Sequence, residues 1–543
     1  MLDLNRVHRQ FECLVEGRQP WESLWRDVAK FYLPTSMTWA SGAGSRVATR
    51  RGQAVYDDTP AWAAQRFAAA MLGMMMNPSQ KWLDFEVVSG ETQDLSLESK
   101  RWLQLLSTRS LSVMQDPEIG MYDAMHEHLL DYGIFGEACM LIDRNKETKR
   151  LRFTPIPLEQ CYIGMGASRK PDTVFRKYEM TVQSIVDYFG DDRLPEEVRG
   201  ALEAKDYSRK FWIIHGVFPR KHGIAKGFDF QKPWASVYYL ESSKKLLKES
   251  GFDFFPFSCP RFMIFANEEH GQGPGTMSLS NVRALNTIVK TLLVSDQKIA
   301  APAYVAQRRG WIKQLNLTPD AINYYDGFDI DKALMPIGNQ GQPQAGQTWV
   351  EMYQNQIMRA FYLDRLNGND KRAEVKEVEV LVDEDRNMRD LVPQLSRLHS
   401  ESVSHIVENV VDFVMDTMPE PPEELAGHNL KIRYRSPLAR AQQLLEVSNA
   451  NRTMQQIILP YSQIDPNALK AVDTHKLVSW ALDNSNFPAD VRVSEEDYQA
   501  SVQADQQKAE IAQGLEAGQG AAQIAKDVST AQKNAPGALS GFF

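Results

Sequence analysis

The stretch HGQGPGTMSLSNVRALNTIVKTLLVSDQKIAAP, residues 270–302, constrains the fold more than any other. Three glycines and a proline follow the strand-like run FPFSCPRFMIF, and no helix breaker occurs between Met277 and Ala300. A helix over that span is about 36 Å long. Pro302 stops it. A mixed segment, 301–347, comes next and ends in the loop sequence IGNQGQPQAGQ. A second helix is then predicted from about Trp349 to Leu366. Two long helices flanking a compact insertion predict an antiparallel pair with the insertion at its far end.

The rest of the chain divides into two styles. In residues 1–32, Leu4, Val7, Phe11, Leu14, Trp21, Leu24, Trp25, Val28 and Phe31 fall at helical spacing. Gly17 predicts a break there, and Pro20 a restart. Residues 33–56 read as a polar, basic loop. Thr59-Pro60 reads as N-cap and first helical position of AWAAQRFAAAMLGMMM. Ala61, Ala64 and Ala68 give that helix a small face, and Met74, Met75 and Met76 an adaptable end. KWLDFEVV alternates, with Leu83, Phe85 and Val87 on one face and Trp82, Asp84 and Glu86 on the other. Helices are predicted over 94–116 and 118–132. Strands follow in ACMLIDR, LRFTPIP, TVFRKYEM, FWIIHGVFP and ASVYYLE, with TVQSIVDYFG a helix among them. After NGND, a helical stretch runs to about Met418 with Pro393 predicted to kink it, and VKEVEVLV within it also fits a short strand. LKIRYR is a strand, and 437–483 is helical with interruptions at Pro460 and Pro466. The Ala/Gln/Gly-rich end is a thin helix or a mobile tail. The fold class is mixed α+β, mainly α.

Several function classes are excluded at this level. The 543 residues exceed one ordinary core, and the net charge of −9 is not that of a dedicated DNA grip. Cys13, Cys139, Cys161 and Cys259 are scattered without a CxxC pair, so reduced thiols are expected. No secretory leader is recognisable at the N-terminus, and no apolar run reaches the roughly 18 to 20 residues of a spanning helix. HGQGPGT sits where a phosphate loop would, but lacks GK[ST], so it reads as a turn that starts a helix. His126 and His128 lie two apart and diverge by about 200° on a helix, so they do not chelate one ion. Glu374, Glu377, Glu379, Asp383, Glu384 and Asp385 are interleaved with Lys and Arg as a solvated face is. No nucleophile elbow occurs. The reading is no enzyme, no metal and no cofactor.

Five ordered blocks resemble the head-to-tail connecting (portal) proteins of short-tailed, T7-like bacteriophages. They are FAAAMLGMMMNPSQKWLDFEV, DYGIFGEACMLID, PDTVFRKYEMTVQSIVDYFG, the block from FPFSCPRFMIF through QKIAAPAYV, and RSPLARAQQ. In the fourth block Arg261, Gly271, Gly273, Pro274, Asn286 and Pro302 occupy the family's places. The chain departs at Lys371-Arg372-Ala373-Glu374-Val375, where the family has a Thr-Ala-x-Glu-Val type sequence, and at His270, where it more often has Tyr. The resemblance implies a phage portal fold with wing, stem, clip and crown, assembled as a ring. The implied regions are wing 1–255, stem helix 256–300, clip 301–347, second stem helix 348–366, channel loop 367–372, wing 373–436, crown 437–510 and tail 511–543.

That resemblance implies a channel at the unique capsid vertex, through which double-stranded DNA is packaged and later ejected. Implied partners are a homo-oligomeric ring of twelve copies, the major capsid protein, scaffolding protein, the terminase large subunit, tail adaptor and nozzle proteins, internal core proteins and DNA without sequence specificity. No membrane is implied. The protein would assemble in the host cytoplasm and reside in the virion. An acidic or mixed lumen repels phosphate, so DNA slides, while a few groups touch the backbone. Candidates are Asn367, Gly368, Asn369, Asp370, Lys371 and Arg372 in the loop, and Lys290 and Lys298 on the first long helix. The competing assignment for the lysines is ordinary surface or inter-subunit ion pairs. The alternative function is an internal virion scaffold or ejection protein.

Overall fold

The computed structural model describes residues 3–35, 55–87, 95–144, 150–190, 194–220, 232–266, 268–300, 343–366, 392–425, 430–434, 447–462 and 472–484, with short pieces at 304–306, 334–336, 493, 498 and 500–504. The chain forms two compact units. The larger is Met1–Phe85, Leu106–Glu420 and Ile432–Ala441; the smaller is Glu86–Leu105, Pro421–Lys431 and Gln442–Phe543.

In chain order the first elements are α1 (Leu4–Tyr32), α2 (Thr59–Met75), β1 (Leu83–Val87), α3 (Leu97–Gln115) and α4 (Met121–Phe135). Strands β2 (Cys139–Arg144), β3 (Leu151–Ile156), β4 (Cys161–Met165) and β5 (Pro171–Thr181) follow. Short helices α5 (Val182–Phe189) and α6 (Glu196–Glu203) precede β6 (Lys210–Pro219), β7 (Trp234–Leu240), β8 (Leu246–Phe252) and β9 (Phe257–Ser258). One turn, α7 (Pro274–Met277), leads into α8 (Leu279–Ala300). Then come β10 (Tyr304–Ala306), β11 (Leu334–Pro336), α9 (Pro343–Ala360) and α10 (Leu363–Leu366). Helix α11 (Val392–Leu398), a π turn (His399–Val403) and α12 (Ser404–Met415) run continuously, and β12 (Leu430–Tyr434) follows.

Strands β4 to β8 form an antiparallel meander in sequence order. Successive side chains on a strand point to opposite faces. Ile214, Val237 and Tyr239 therefore meet Val7 and Phe11 of α1, with Phe175 beside them. Ile213, Tyr238 and Leu240 meet Val182, Ile185, Val198 and Ala201 of α5 and α6. Both faces are covered, which is why WIIHGVF and ASVYYL read as apolar runs. Gly216 interrupts β6 because the Phe175 ring crosses it, and a Cβ there would sit 2.5 Å from Phe175 Cε1. Strands β3, β2 and β9 form a smaller sheet, and β1 pairs with β12.

Helix α1 corrects the predicted break. It runs unbroken through Gly17 and Pro20. Asp3 Oδ1 caps it, accepting from Asn5 N at 3.1 Å and Arg6 N at 3.3 Å. Its first half packs on the sheet, and its second half buries Trp25, Val28, Ala29, Phe31 and Tyr32. Packing on both sides of the proline outweighs the one missing hydrogen bond. Between the halves, buried Arg18 donates to the Cys161 carbonyl and, at 2.9 Å, to that of Glu159. Its guanidinium lies 4.3 Å from the Tyr162 ring centre.

Other boundaries shift for identifiable reasons. Helix α2 is N-capped by Asp58 and starts at Thr59, one residue earlier than predicted. Ala63, Ala64, Phe67, Ala68 and Met71 are its buried face. Gly133 of α4 receives the Phe67 ring. Met71 and Met76 are buried, and Met74 and Met75 are half-buried. β1 is not one-sided, because Trp82 and Asp84 are buried as well. Lys81 Nζ neutralises Asp84 at 2.8 Å. Pro393 is the second described residue of α11. The predicted kink, the short-strand option in VKEVEVLV and the acidic cluster at 374–385 involve residues 371–391, which lie outside the described residues.

The long-helix pair is present. α9 is described from Pro343, six residues before the predicted Trp349. Gly346 lies against Leu292 of α8, where a Cβ would overlap that side chain. α9 thus runs back along α8 from its far end, where β10 pairs antiparallel with β11, Val305 opposite Met335. The second helix does not continue to Leu366. Tyr362 adopts φ 57° and splits α10 from α9. In the smaller unit, Ser99 donates to Glu424 Oε2 at 2.7 Å at the start of α3. Pro460 does not interrupt its helix. It follows a π turn, Met454–Ile458, whose wider path relieves the clash a proline makes with the preceding turn. Pro466 lies outside the described residues.

Phe175 tests the sheet core directly. Phe175→Ala should lower unfolding stability by about 3–5 kcal/mol, measured by denaturant titration with the slope unchanged.

Candidate functional site

The turn that starts the long helix is built backbone against backbone. α4 ends at Gly136, whose φ is 84°. Gly271, Gly273 and Gly275 lie directly on residues 134–136, and a Cβ at Gly273 would come within 2.6 Å of Gly136 N. A Cβ at Gly136 would in turn fall on Gly273 N. No side chain fits between them. The amides inside the turn are already used. Gln272 N donates to Met263 O at 2.7 Å, and Gly273 N to Thr276 Oγ1 at 3.0 Å. This is a helix-starting turn, as its sequence predicts, with Pro274 at the first position of α7.

Buried charge surrounds the turn. Arg261 and Glu401 are 3% and 5% exposed. Arg261 Nη2 donates to Glu401 Oε1 at 2.7 Å, and Nε to Oε2 at 3.2 Å. The Arg261 backbone N–H also donates to Oε2, at 3.1 Å. Two more guanidinium hydrogens reach the carbonyls of Glu269 at 3.1 Å, from Nη1, and Arg169 at 2.7 Å, from Nη2. A desolvated ion pair is tolerable only when its lone pairs and protons are matched in this way. One layer away, His270 Nδ1 lies 2.7 Å from Glu137 Oε2. The His270 ring packs against Trp21 and Trp25 at 5.5 and 5.3 Å between centres.

A neutral polar chain completes the region. Ser258 Oγ donates to Ser402 Oγ at 2.7 Å, leaving its lone pairs for His128 Nε2 at 3.0 Å. His128 is therefore read as the Nε2–H tautomer, assigned from the network. It is fully buried, whereas His126 is half-buried. Burial alone holds the His128 pKa down at about 3. His215, stacked on Tyr238 and 3.0 Å from Ser236 Oγ, is likewise lowered to about 3, chiefly by burial. Cys139, Cys161 and Cys259 are buried free thiols, and Cys13 is an exposed one. Burial raises the pKa of the three inner thiols.

Of the residues picked from sequence, Arg261, Gly271, Gly273 and Pro274 converge here. Asn286 lies further along α8, where its Oδ1 accepts from Tyr56 N at 2.8 Å. Lys290 Nζ lies 5.9 Å from the Tyr56 ring centre. Lys298 falls in the last turn of α8. Pro302, Asn367, Gly368, Asn369, Asp370, Lys371 and Arg372 lie outside the described residues. Glu401, Glu137 and His128 were missed. One signal existed: Arg261 sits inside the apolar run FPFSCPRFMIF, and a buried arginine demands a carboxylate. Among the described residues, no three His, Cys, Asp or Glu side chains could hold a metal ion. No described helix is long and apolar enough to cross a membrane.

The family model described as bacteriophage head to tail connecting protein matches residues 4–492. The chain belongs to this family. It is 26% identical over 547 aligned positions to the portal protein of Salmonella phage epsilon15, covering 98% of this chain and 97% of that one. It is 23% identical over 454 positions to the probable portal protein of Bordetella phage BPP-1, covering 80% and 79%. Among solved structures it is similar to a chain of the virion of a native gene transfer agent particle, at 9% identity and a TM-score of 0.34, covering 77% and 94%. A mixed helix-and-sheet chain with the glycine turn described above is how this family member is built.

Two measurements test the site. Gly273→Ala should disrupt folding, because the new Cβ meets backbone that cannot move aside. Gly17→Ala, with open space around it on α1, should stabilise by roughly 0.5–1 kcal/mol in the same thermal or denaturant assay. The second concerns pH. A histidine held neutral in the fold, with its pKa below the unfolded value of about 6.5, contributes stability that is complete above that pH. The contribution is lost as pH falls towards about 3, at roughly 1.4 kcal/mol per pH unit per histidine. In His128→Gln the pH-stability slope between 6 and 4 should be shallower by one proton.

Proposed function

We propose that this protein is the subunit of a ring-shaped portal at one capsid vertex, a passive channel through which double-stranded DNA is packaged and later ejected. The observation that carries this is membership of the head-to-tail connecting family over 4–492, with full-length similarity to a portal protein. The long-helix pair bearing a two-stranded ribbon at its far end supports it. On this reading α8 and α9 are the stem, 301–347 the clip, 367–372 the channel loop, 1–255 and 373–436 the wing, 437–510 the crown and 511–543 its tail.

The ring closes by heterologous contacts, so one patch of the subunit complements a different patch on the next copy. Twelve copies are proposed. The packaging motor's terminase large subunit docks on the clip during assembly, and tail adaptor and nozzle proteins take its place afterwards. The major capsid protein, scaffolding protein and internal core proteins contact the outside and upper parts. Assembly takes place in the host cytoplasm. DNA is touched through its phosphates without sequence reading, by the 367–372 loop and by Lys298. The placement of Lys290 over Tyr56 of its own subunit supports a structural part for that lysine.

Purified protein should give rings with a central hole of duplex width in negative-stain images. Monomers at every concentration would overturn the proposal.

A further inference from the structure

The continuous helix α11–α12 contains the π turn His399–Val403, in which Ser404 N–H bonds the carbonyl of His399, five residues back. Its consequence shows in burial. Glu401, Ser402 and Val403, three successive residues, are 5%, 0% and 1% exposed. Three successive residues on a regular helix span about 200°, too wide for one packed face. Within the widened turn two successive residues, Glu401 and Ser402, both bond the same neighbour, the segment 258–261.

The stretch 255–262 around it is fastened to the helix step by step. Asn409 donates to Phe255 O at 3.2 Å and Ser258 donates to Ser402 at 2.7 Å. Cys259 N–H donates to Glu401 O at 3.3 Å, and Arg397 donates to Phe262 O at 3.2 Å. Phe262 and Met263 reach the glycine turn through backbone bonds, to Gly136 O and with Gln272, and Arg261 is the residue that reaches it through its side chain. One edge of its guanidinium grips Glu401, another hydrogen reaches Glu269 O beside the glycine turn, and its Cβ lies at Gly271. The turn in turn begins α8. His270, next to Gly271, is pinned to Glu137 and packed under Trp21 and Trp25 of α1.

We propose that Glu401 is a positioning residue. Through Arg261 it sets the Gly271–Thr276 turn and so couples the helix 392–415 to the start of α8. In the portal reading, on which only the purpose of the coupling rests, a rotation of the outer helix is passed to the stem. The ion pair supplies what packing alone does not. Its fork geometry fixes the angle of Arg261 as well as its distance. Ser402, adjacent on the same helix and equally buried, has no such onward path, since its partners Ser258 and His128 end within the core.

Hydrogen exchange on the purified full-length chain separates the two. In Glu401→Gln, amides in the 261–276 turn and in the first two turns of α8 should exchange about tenfold faster or more, while α5, α6 and the five-stranded sheet stay protected. Ser402→Ala should loosen residues near 258 and 402 without reaching α8. Arg261→Lys keeps the charge but loses the fork, and should reproduce the Glu401→Gln pattern if the latter folds poorly. Exchange confined to 399–403 in Glu401→Gln would overturn the proposal, as would equal opening of α8 in Ser402→Ala. The exchange pattern is read subunit by subunit, so its failure is distinct from a failure to form rings.

Discussion

The contact between Gly136 and Gly273 is the constraint around which the larger unit is arranged. Two stretches of backbone meet there without an intervening side chain. Such closeness needs glycine on both sides, and at Gly136 it also needs the left-handed backbone that glycine adopts freely. The contact fixes where α4 ends, where β2 begins and where α8 starts. The buried charges lie beside it. The carbonyl of residue 269 beside the turn and that of residue 169 between β4 and β5 both face Arg261, which satisfies them while meeting Glu401. The pair reinforces the turn's geometry. Removing one partner would leave the other charged in a dry site, which is why the two residues belong together.

Helix α1 plays the complementary part on the outside. Its first turns cover the five-stranded sheet, and its last turns cover the glycine turn through Trp21, Trp25 and Tyr32. Tyr32 Oη lies 2.7 Å from Ser278 Oγ, at the joint between α7 and α8. One rigid rod thus spans the sheet core and the helical core. Arg18 marks the crossing, and its carbonyl contacts tie α1 to the turn before β4. The long-helix pair departs from this body, and only its base is buried: Val282, Leu285 and Ile357 lie within, while Leu293, Val294 and Trp349 are exposed. A ring in which such helices meet their neighbours is a natural use of that surface.

Much of the fold was legible from pattern. Alternating and apolar runs located β2, β3, β5, β6, β7 and β9 but not β4 or β8, the two edges of the five-stranded sheet, and helical spacing located α1 to α5. The glycine-proline turn and the long helix after it were readable from breakers alone. The errors share one cause, which is local reasoning applied where distant packing decides. Gly17 looks like a break and Pro20 like a restart until both halves of α1 are seen to be clamped. Trp82 and Asp84 look like an outer face until a second layer covers them. Asp58, one residue before Thr59, holds the cap position without a side-chain capping bond, and Thr59 is already helical. Pro460 is carried by a π turn that no composition announces. In the site, Arg261 was legible as a family position, but Glu401 was one carboxylate among many on a long helix. Nothing near it in sequence distinguishes it, because its partner is 140 residues away.

The sequence by itself determined most of the elements, the tight turn, the long rod after it and the family, since these depend on spacing, on breakers and on ordered blocks. It also ruled out a spanning helix by length. The tertiary structure decided the pairings: which carboxylate meets Arg261, which histidine is dry, and which face of each strand is covered twice. These depend on distances between residues far apart in the chain, and burial converts those distances into energy. A charge or a histidine acquires its role only when the surrounding water has been removed, and that is a property of the folded whole.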